Sequence, residues 1–292
     1  MHKEENLIDI LDIGSRGKIP DQWLWFLKNN FKLRINTFDI DTDADLKQKD
    51  NILYINHKVG LSSNNYEKEF YLCEEKSQSS CFEPNQEIDI FEDQHHLKRL
   101  KYKKIISKNI STIDYLFKNQ EKIDFIKCDT QGSEYDISLG SRKSLKNFCP
   151  IVALETWCED VYSNMPLDFN IRSLYREMGY KLFATDVAAA WRYKTNKLFP
   201  LSRQRLIGEN LLFVPSLKMF DKLDKSKIIS KIPILCFFGF YDYAYTIINR
   251  KGMQYYLPNL KKLYKKFSNE RKLYRKILNR ISGKRDLFPR IT

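Results

Sequence analysis

Four acids, Asp12, Asp39, Asp129 and Glu155, stand where short apolar runs end. Such an arrangement lines carboxylates along the carboxyl edge of a parallel sheet, the edge at which ligands bind. In the turn Asp12-Ile13-Gly14-Ser15-Arg16-Gly17 the glycines let backbone approach a ligand closely. Asp39 follows 22 residues after Gly17, with Asp41 close behind, and a carboxylate so placed takes both hydroxyls of a ribose. A dinucleotide would want the fuller G-x-G-x-x-G to seat a pyrophosphate on a helix terminus. Here an acid precedes the first glycine, which repels phosphate and suits a cation such as an amino-acid ammonium. A phosphate-free sulfonium nucleoside, S-adenosylmethionine, is therefore expected in preference to NAD, with Asp12, Gly14, Ser15, Gly17, Asp39 and Asp41 as the cofactor-binding residues.

These acids need strands to carry them. Residues 7–13, 34–40, 51–59, 123–128, 151–154, 181–184 and 211–214 read as strands, and residues 68–72 with 80–82 as a hairpin insertion. Helices are expected after Pro20 through Asn30, near residues 113–118 and over 171–178, the last stopped by Gly179. Strands alternating with helices argue for an α/β fold, a doubly wound and mostly parallel sheet covered on both faces. The chain divides into a catalytic domain, residues 1–215, and a helical, basic carboxyl-terminal extension, residues 216–292.

Charge sharpens that division. Residues 251–292 hold 13 Lys and Arg against Glu270 and Asp286, a net +11, so residues 1–250 keep only +2 of the chain's +13. The apolar stripe Leu260, Leu263, Tyr264, Phe267, Tyr274, Ile277, Leu278 and Ile281 favours a helix over residues 259–285 packed on its own domain or on an anionic membrane surface. A nucleic-acid arm would lack so continuous a stripe. The six cysteines show no paired spacing and read as reduced thiols. The amino terminus runs straight into a strand, leaving no room for a secretory signal, so a cytoplasmic location is expected. The apolar run 234–248 is too short to span a membrane and reads as one buried helix.

In four ordered blocks the chain resembles the FkbM-type methyltransferases: LDIGSRGKIPDQW; TFDID at 37–41; VGLSS at 59–63 with SQSS at 77–80; and STID at 111–114 leading into IDFIKCDTQGSEYDISLGS at 123–141. Residues 7 to about 184 are covered. K-x-D-x-x-G-x-E directly after an apolar strand is the most specific of these, whereas Lys18 replaces a glycine and Asp39 a glutamate of the usual pattern. The resemblance implies a Rossmann-like class I fold and S-adenosylmethionine-dependent methylation of a hydroxyl on a sugar, glycan or glycan-like metabolite. Alternatives are an RNA methyltransferase using the basic tail and a cofactor- or glycan-binding module without turnover.

Methyl transfer depends on aligning acceptor and methyl group, and a hydroxyl acceptor must also lose a proton. Asp129 is the first candidate for that role, followed by Glu134 and Glu155. Each has a plainer reading. Glu134 favourably meets a helix dipole, and Asp129 could cap a helix. Together the three could hold Mg²⁺, although no metal is expected. His95 and His96 sit in a polar stretch and read as a solvated face, becoming base candidates only if that stretch closes over the crevice. Trp157, Tyr162, Trp191 and Tyr193 are candidates for stacking on a sugar ring or for packing.

Overall fold

The computed structural model describes residues 6–14, 20–40, 51–85, 88, 100–120, 122–193 and 201–278, with side chains through 269. Strands β1 (Leu7–Ile13), β2 (Lys32–Phe38), β3 (Ile52–His57), β7 (Phe125–Cys128), β8 (Ile151–Trp157), β9 (Tyr180–Trp191) and β10 (Arg205–Pro215) form one sheet. Their order is β3-β2-β1-β7-β8-β10-β9, parallel throughout except for β10, which runs antiparallel to both neighbours. From β1 the chain proceeds outward to β2 and β3, then returns to place β7 on the other side of β1. That reversal opens a crevice at the carboxyl ends of β1 and β7.

The central strands are apolar runs because both their faces are buried. Ile8 and Ile10 of β1 and Phe125 of β7 point to one core, Leu11, Ile13, Ile126 and Cys128 to the other. The second core is closed by α2 (Ile113–Leu116), α3 (Glu134–Leu139), α4 (Arg142–Phe148) and α5 (Asp168–Glu177), through Ile113, Ile137, Leu145 and Ile171. The first receives Phe26 of α1 (Leu24–Lys28) and then a run of carboxyl-terminal helices: α6 (Leu217–Asp221), α7 (Lys225–Ile229), α8 (Lys231–Phe237), α9 (Tyr241–Arg250) and α10 (Leu257–Leu278). Residues 217–263 thus share a core with the sheet and cover one of its faces.

Lys231 locks this helical layer to the sheet. Its ammonium and the Asp124 carboxylate are both fully buried, 2.9 Å apart, at the amino end of β7. Ser230 Oγ donates to the same carboxylate at 2.6 Å and the Asp9 amide donates at 3.0 Å. No helix of the described residues is long and apolar enough to cross a membrane.

Several expected elements differ. The run 234–248 is two helices, α8 and α9, because Gly239 adopts φ +90° and breaks the first. A second, three-stranded sheet holds β4 (Gly60–Leu61), β6 (Tyr102–Ser111) and β5 (Tyr66–Cys73) in that order. The expected hairpin survives as one bridge, Tyr71 to Ser80, while β5 pairs along its length with β6. The lysines of β6 hide its alternation. Strands β9 and β10 outrun the expected 181–184 and 211–214, since each holds the other by antiparallel pairing through polar stretches. Glu155 lies within β8 rather than beyond its end.

Candidate active site

The crevice is built on three strand ends that hydrogen-bond to one another. The Gly14 amide donates to the Phe38 carbonyl at 2.8 Å and the Asp129 amide to the Ile13 carbonyl at 3.0 Å. Gly14 has φ +78°, and a Cβ there would lie 1.9 Å from the Asp129 carbonyl oxygen. The glycine is required by this backbone contact within the chain itself.

The loop after β7 is shaped by Glu134. Its Oε1 accepts from the Thr130 amide at 2.6 Å and from Thr130 Oγ1 at 2.9 Å, and its Oε2 accepts from the Gly132 amide at 2.9 Å. These bonds hold two left-handed residues, Gln131 at φ +59° and Gly132 at φ +115°. Burial pushes the Glu134 carboxyl up to about 7, against the pull of the Thr130 amide. Glu134 does not line the cavity. It sits behind the loop and positions it.

Gln131, thus fixed, reaches two carboxylates. Its Nε2 donates to Asp129 Oδ1 at 3.1 Å and to Glu155 Oε1 at 3.3 Å. Gln131 is itself held: Ser80 Oγ donates to its carbonyl at 2.6 Å, and Tyr162 Oη lies 3.1 Å from its Oε1 and 2.9 Å from the Gln78 carbonyl, two acceptors sharing one proton. Burial, then the nearby Asp129 and Glu134, push the Glu155 carboxyl up to about 8. Asp12 is buried beneath, its Oδ1 3.7 Å from Lys127 Nζ, while the same ammonium stands 3.6 Å from Asp129 Oδ2. Burial raises the Asp12 carboxyl to about 6, with Lys127 opposing and Asp129 reinforcing.

A cavity of about 460 Å³ opens above these groups, within the range of small-molecule sites. Main-sheet and strand-end residues Ile13, Gly14, Phe38, Asp39, Lys127, Asp129 and Glu155 line it, together with Gln131 and with Lys76, Ser77, Gln78 and Ser80. Of the expected site residues, Gly14, Asp39, Asp129 and Glu155 come together on this cavity, whereas Asp12 and Glu134 lie behind its wall. Ser15, Gly17, Asp41, His95 and His96 lie outside the described residues. Trp157 and Tyr162 are buried, with Trp191 packed on the same cluster, and Tyr193 meets Arg205 at the surface, so none of the four aromatics faces the cavity.

The acids do not point to Gln131 or Lys127, while Tyr162, expected to stack or pack, and Ser80, within SQSS, act as hydrogen-bond donors to Gln131. A lysine interrupting the apolar strand IDFIKC was the available signal for Lys127. Elsewhere, Cys158, Asp168 and Glu209 are spaced as metal ligands, but Arg172 is ion-paired to both carboxylates and occupies the cluster.

This sheet order, with its antiparallel β10 and its crevice between β1 and β7, defines a Rossmann-like methyltransferase fold. A family model, the methyltransferase FkbM domain, matches residues 20–182, more than half of the chain, and the chain belongs to that family. The glycine turn at 12–17 precedes the matched region. The crystal structure of the methyltransferase FkbM from Methylobacillus flagellatus KT is similar at 15% identity and a TM-score of 0.36, over 70% of this chain and 44% of its own. The chain therefore spans less than half the length of that structure. No curated protein matches the sequence.

Proposed function

We propose that this chain is an S-adenosylmethionine-dependent O-methyltransferase whose acceptor is a hydroxyl of a sugar, glycan or glycan-like metabolite. The observation that carries the reading is the Asp129–Gln131–Glu155 bridge at the wall of a cavity that also holds Gly14 and Asp39. The stretch around Gly14 and Asp39 suits a nucleoside: Asp39 offers a carboxylate to ribose hydroxyls beside apolar Phe38 and Ile40. Ser77, Gln78, Ser80 and Gln131 add hydroxyl and amide groups, the donors and acceptors that sugars require.

When bound, S-adenosylmethionine supplies an electrophilic methyl group on a sulfonium. Asp129 receives the acceptor hydroxyl's proton as attack proceeds. Lys127 beside it compensates the carboxylate's charge. Glu155, raised to about 8 by burial, is protonated at neutral pH and offers a hydrogen-bond donor to the acceptor. Gln131 keeps the two carboxyl groups apart in role by donating to both, while Glu134 holds the loop on which Asp129 and Gln131 sit. Orientation of the acceptor accounts for the larger share of the rate.

Calorimetry with S-adenosylmethionine and S-adenosylhomocysteine tests the cofactor side. Binding lost or weakened at least ~10-fold in Asp39→Ala is expected from loss of a bidentate contact, and absence of binding to the wild type rejects the assignment. Turnover of labelled cofactor on nucleotide sugars and lipopolysaccharide, with transfer RNA in parallel, tests the acceptor. Methylation of the RNA alone would install the RNA methyltransferase reading, and cofactor binding without turnover on any acceptor would favour a binding module.

A further inference from the structure

Helix α10 spends its apolar side on the domain and keeps an unusual outer side. Leu260 and Leu263 are buried in the first core, Phe267 packs against it, and Lys266 is pinned by the Lys28 carbonyl at 3.1 Å and Asn29 Oδ1 at 3.0 Å. The rings of Tyr241 and Phe267 sit 5.3 Å apart, and Tyr264 meets Tyr241 at 5.2 Å. Outward, Lys261, Lys262 and Lys265 are exposed.

Three tyrosines of the same helical layer are also exposed. Tyr264 is 53% exposed, Tyr255 in the turn entering α10 is 61% exposed, and Tyr245, one turn along α9 from Tyr241, is 50% exposed. A face that served only to solvate a helix would need the lysines and not the phenol rings. Tyrosine with lysine is the pairing favoured at a lipid headgroup layer, where the ring enters the interface and the ammonium meets anionic heads. The charged groups described on this outer face are lysines, compact point charges, rather than the forked arginines that favour planar phosphate and base recognition. The local charge agrees, since residues 251–269 hold five lysines and no acid.

We propose that the outer face of α10, with Tyr255 and Tyr245 of the same layer, docks on an anionic lipid bilayer. The helix is held by the core before it meets the membrane, so the lysines and tyrosines are presented with no backbone left to order. The inference stands apart from the acceptor assignment and is tested without turnover.

The test is flotation of the full chain with vesicles of phosphatidylcholine alone and of phosphatidylcholine mixed with phosphatidylglycerol, with transfer RNA binding measured in parallel. Flotation with the mixed vesicles only, weakened by salt, is expected. The triple variant Lys261→Glu, Lys262→Glu, Lys265→Glu should cut the bound fraction roughly 10-fold or more, and Tyr255→Ser with Tyr264→Ser about 3-fold. All five positions are exposed, and unchanged thermal melting confirms that both variants fold. A chain that stays unbound with anionic vesicles overturns the proposal, as does flotation indifferent to the lysine reversals. RNA binding that depends on the same lysines, without flotation, overturns it in favour of a nucleic-acid surface.

Discussion

Gly14 and Asp129 touch backbone to backbone: an added Cβ on the one would stand 1.9 Å from the carbonyl oxygen of the other. The ends of β1 and β7 are therefore one structure, and disturbing either moves the carboxylate proposed as base. Gly14→Ala, strained by both the contact and φ +78°, is expected to cost about 2–4 kcal/mol. Urea unfolding measures this, and a loss under ~0.5 kcal/mol would show that the turn relaxes freely.

Asp129→Asn should separate chemistry from folding. Asp129 is partly exposed and its Oδ1 accepts from the Gln131 amide, so the amide variant should melt near wild type and still bind S-adenosylhomocysteine. Its kcat should fall by about 10²–10⁴, the usual worth of a general base. Full activity in this variant would return the role to Glu155 or to solvent.

The Glu155 carboxyl, raised by burial to about 8 from an ordinary 4.5, sets a basic limit. Activity should fall as pH rises through about 8, because the neutral donor becomes an anion beside Asp129. Glu155→Gln should keep activity and lose that limb in a pH profile. Stability follows the same sign. The folded chain retains a proton that the unfolded chain releases above 4.5, so this contribution is present below 4.5 and is lost as pH rises through about 8. Thermal melting of Glu155→Gln should accordingly depend less on pH across that window, and an unchanged dependence would contradict a protonated Glu155.

Removing Glu134 strands the amides of Thr130 and Gly132. Glu134→Ala should cost about 2–6 kcal/mol at 1–3 for each of the two unsatisfied donors. Activity should collapse with it, through displacement of Asp129 and Gln131. A stable, active Glu134→Ala would show that the loop holds its shape without the clamp, and chemical denaturation with a turnover assay reads both.

At the opposite edge of the sheet, Lys231→Met leaves the buried Asp124 carboxylate with only the half-buried Lys122 ammonium, 3.3 Å away. The expected cost is about 3–5 kcal/mol. The double variant Lys231→Met, Asp124→Asn should recover part of it, since the amide oxygen still accepts from Ser230 Oγ or the Asp9 amide. Both should bind cofactor normally at permissive temperature, being remote from the crevice, and calorimetry checks this.

The strands that carry the site were readable because burial on both faces makes them continuous apolar runs, as in IDFIKC. Asp39, Asp129 and Glu155 were found through those strand ends. What escaped was whatever depends on partners distant in sequence. β6 is lysine-rich on the surface, and its pairing with β5 decides its form. Gln131 has no charge to advertise it, and its importance comes from a left-handed conformation imposed by Glu134 together with bonds from Ser80 and Tyr162. Asp12 was read as a ligand for a cation, and the structure supplies Lys127 from the adjacent strand as the cation it faces.

The second sheet is entered at Gly60–Leu61 and left at Ser111, and these points are adjacent rungs of one ladder, Gly60 facing Ile110 and Leu61 facing Ser111. The segment between them is therefore inserted at one place: its two ends meet, and the main sheet's strand pairing does not run through it. The same segment carries Ser77, Gln78 and Ser80 to the cavity, while Gly14 and Asp39 stay on the main sheet. On the reading proposed above, groups that meet the acceptor and groups that hold the methyl donor come from separate stretches of chain, joined where Ser80 Oγ bonds the Gln131 carbonyl, so a change in one is felt by the other through that bond.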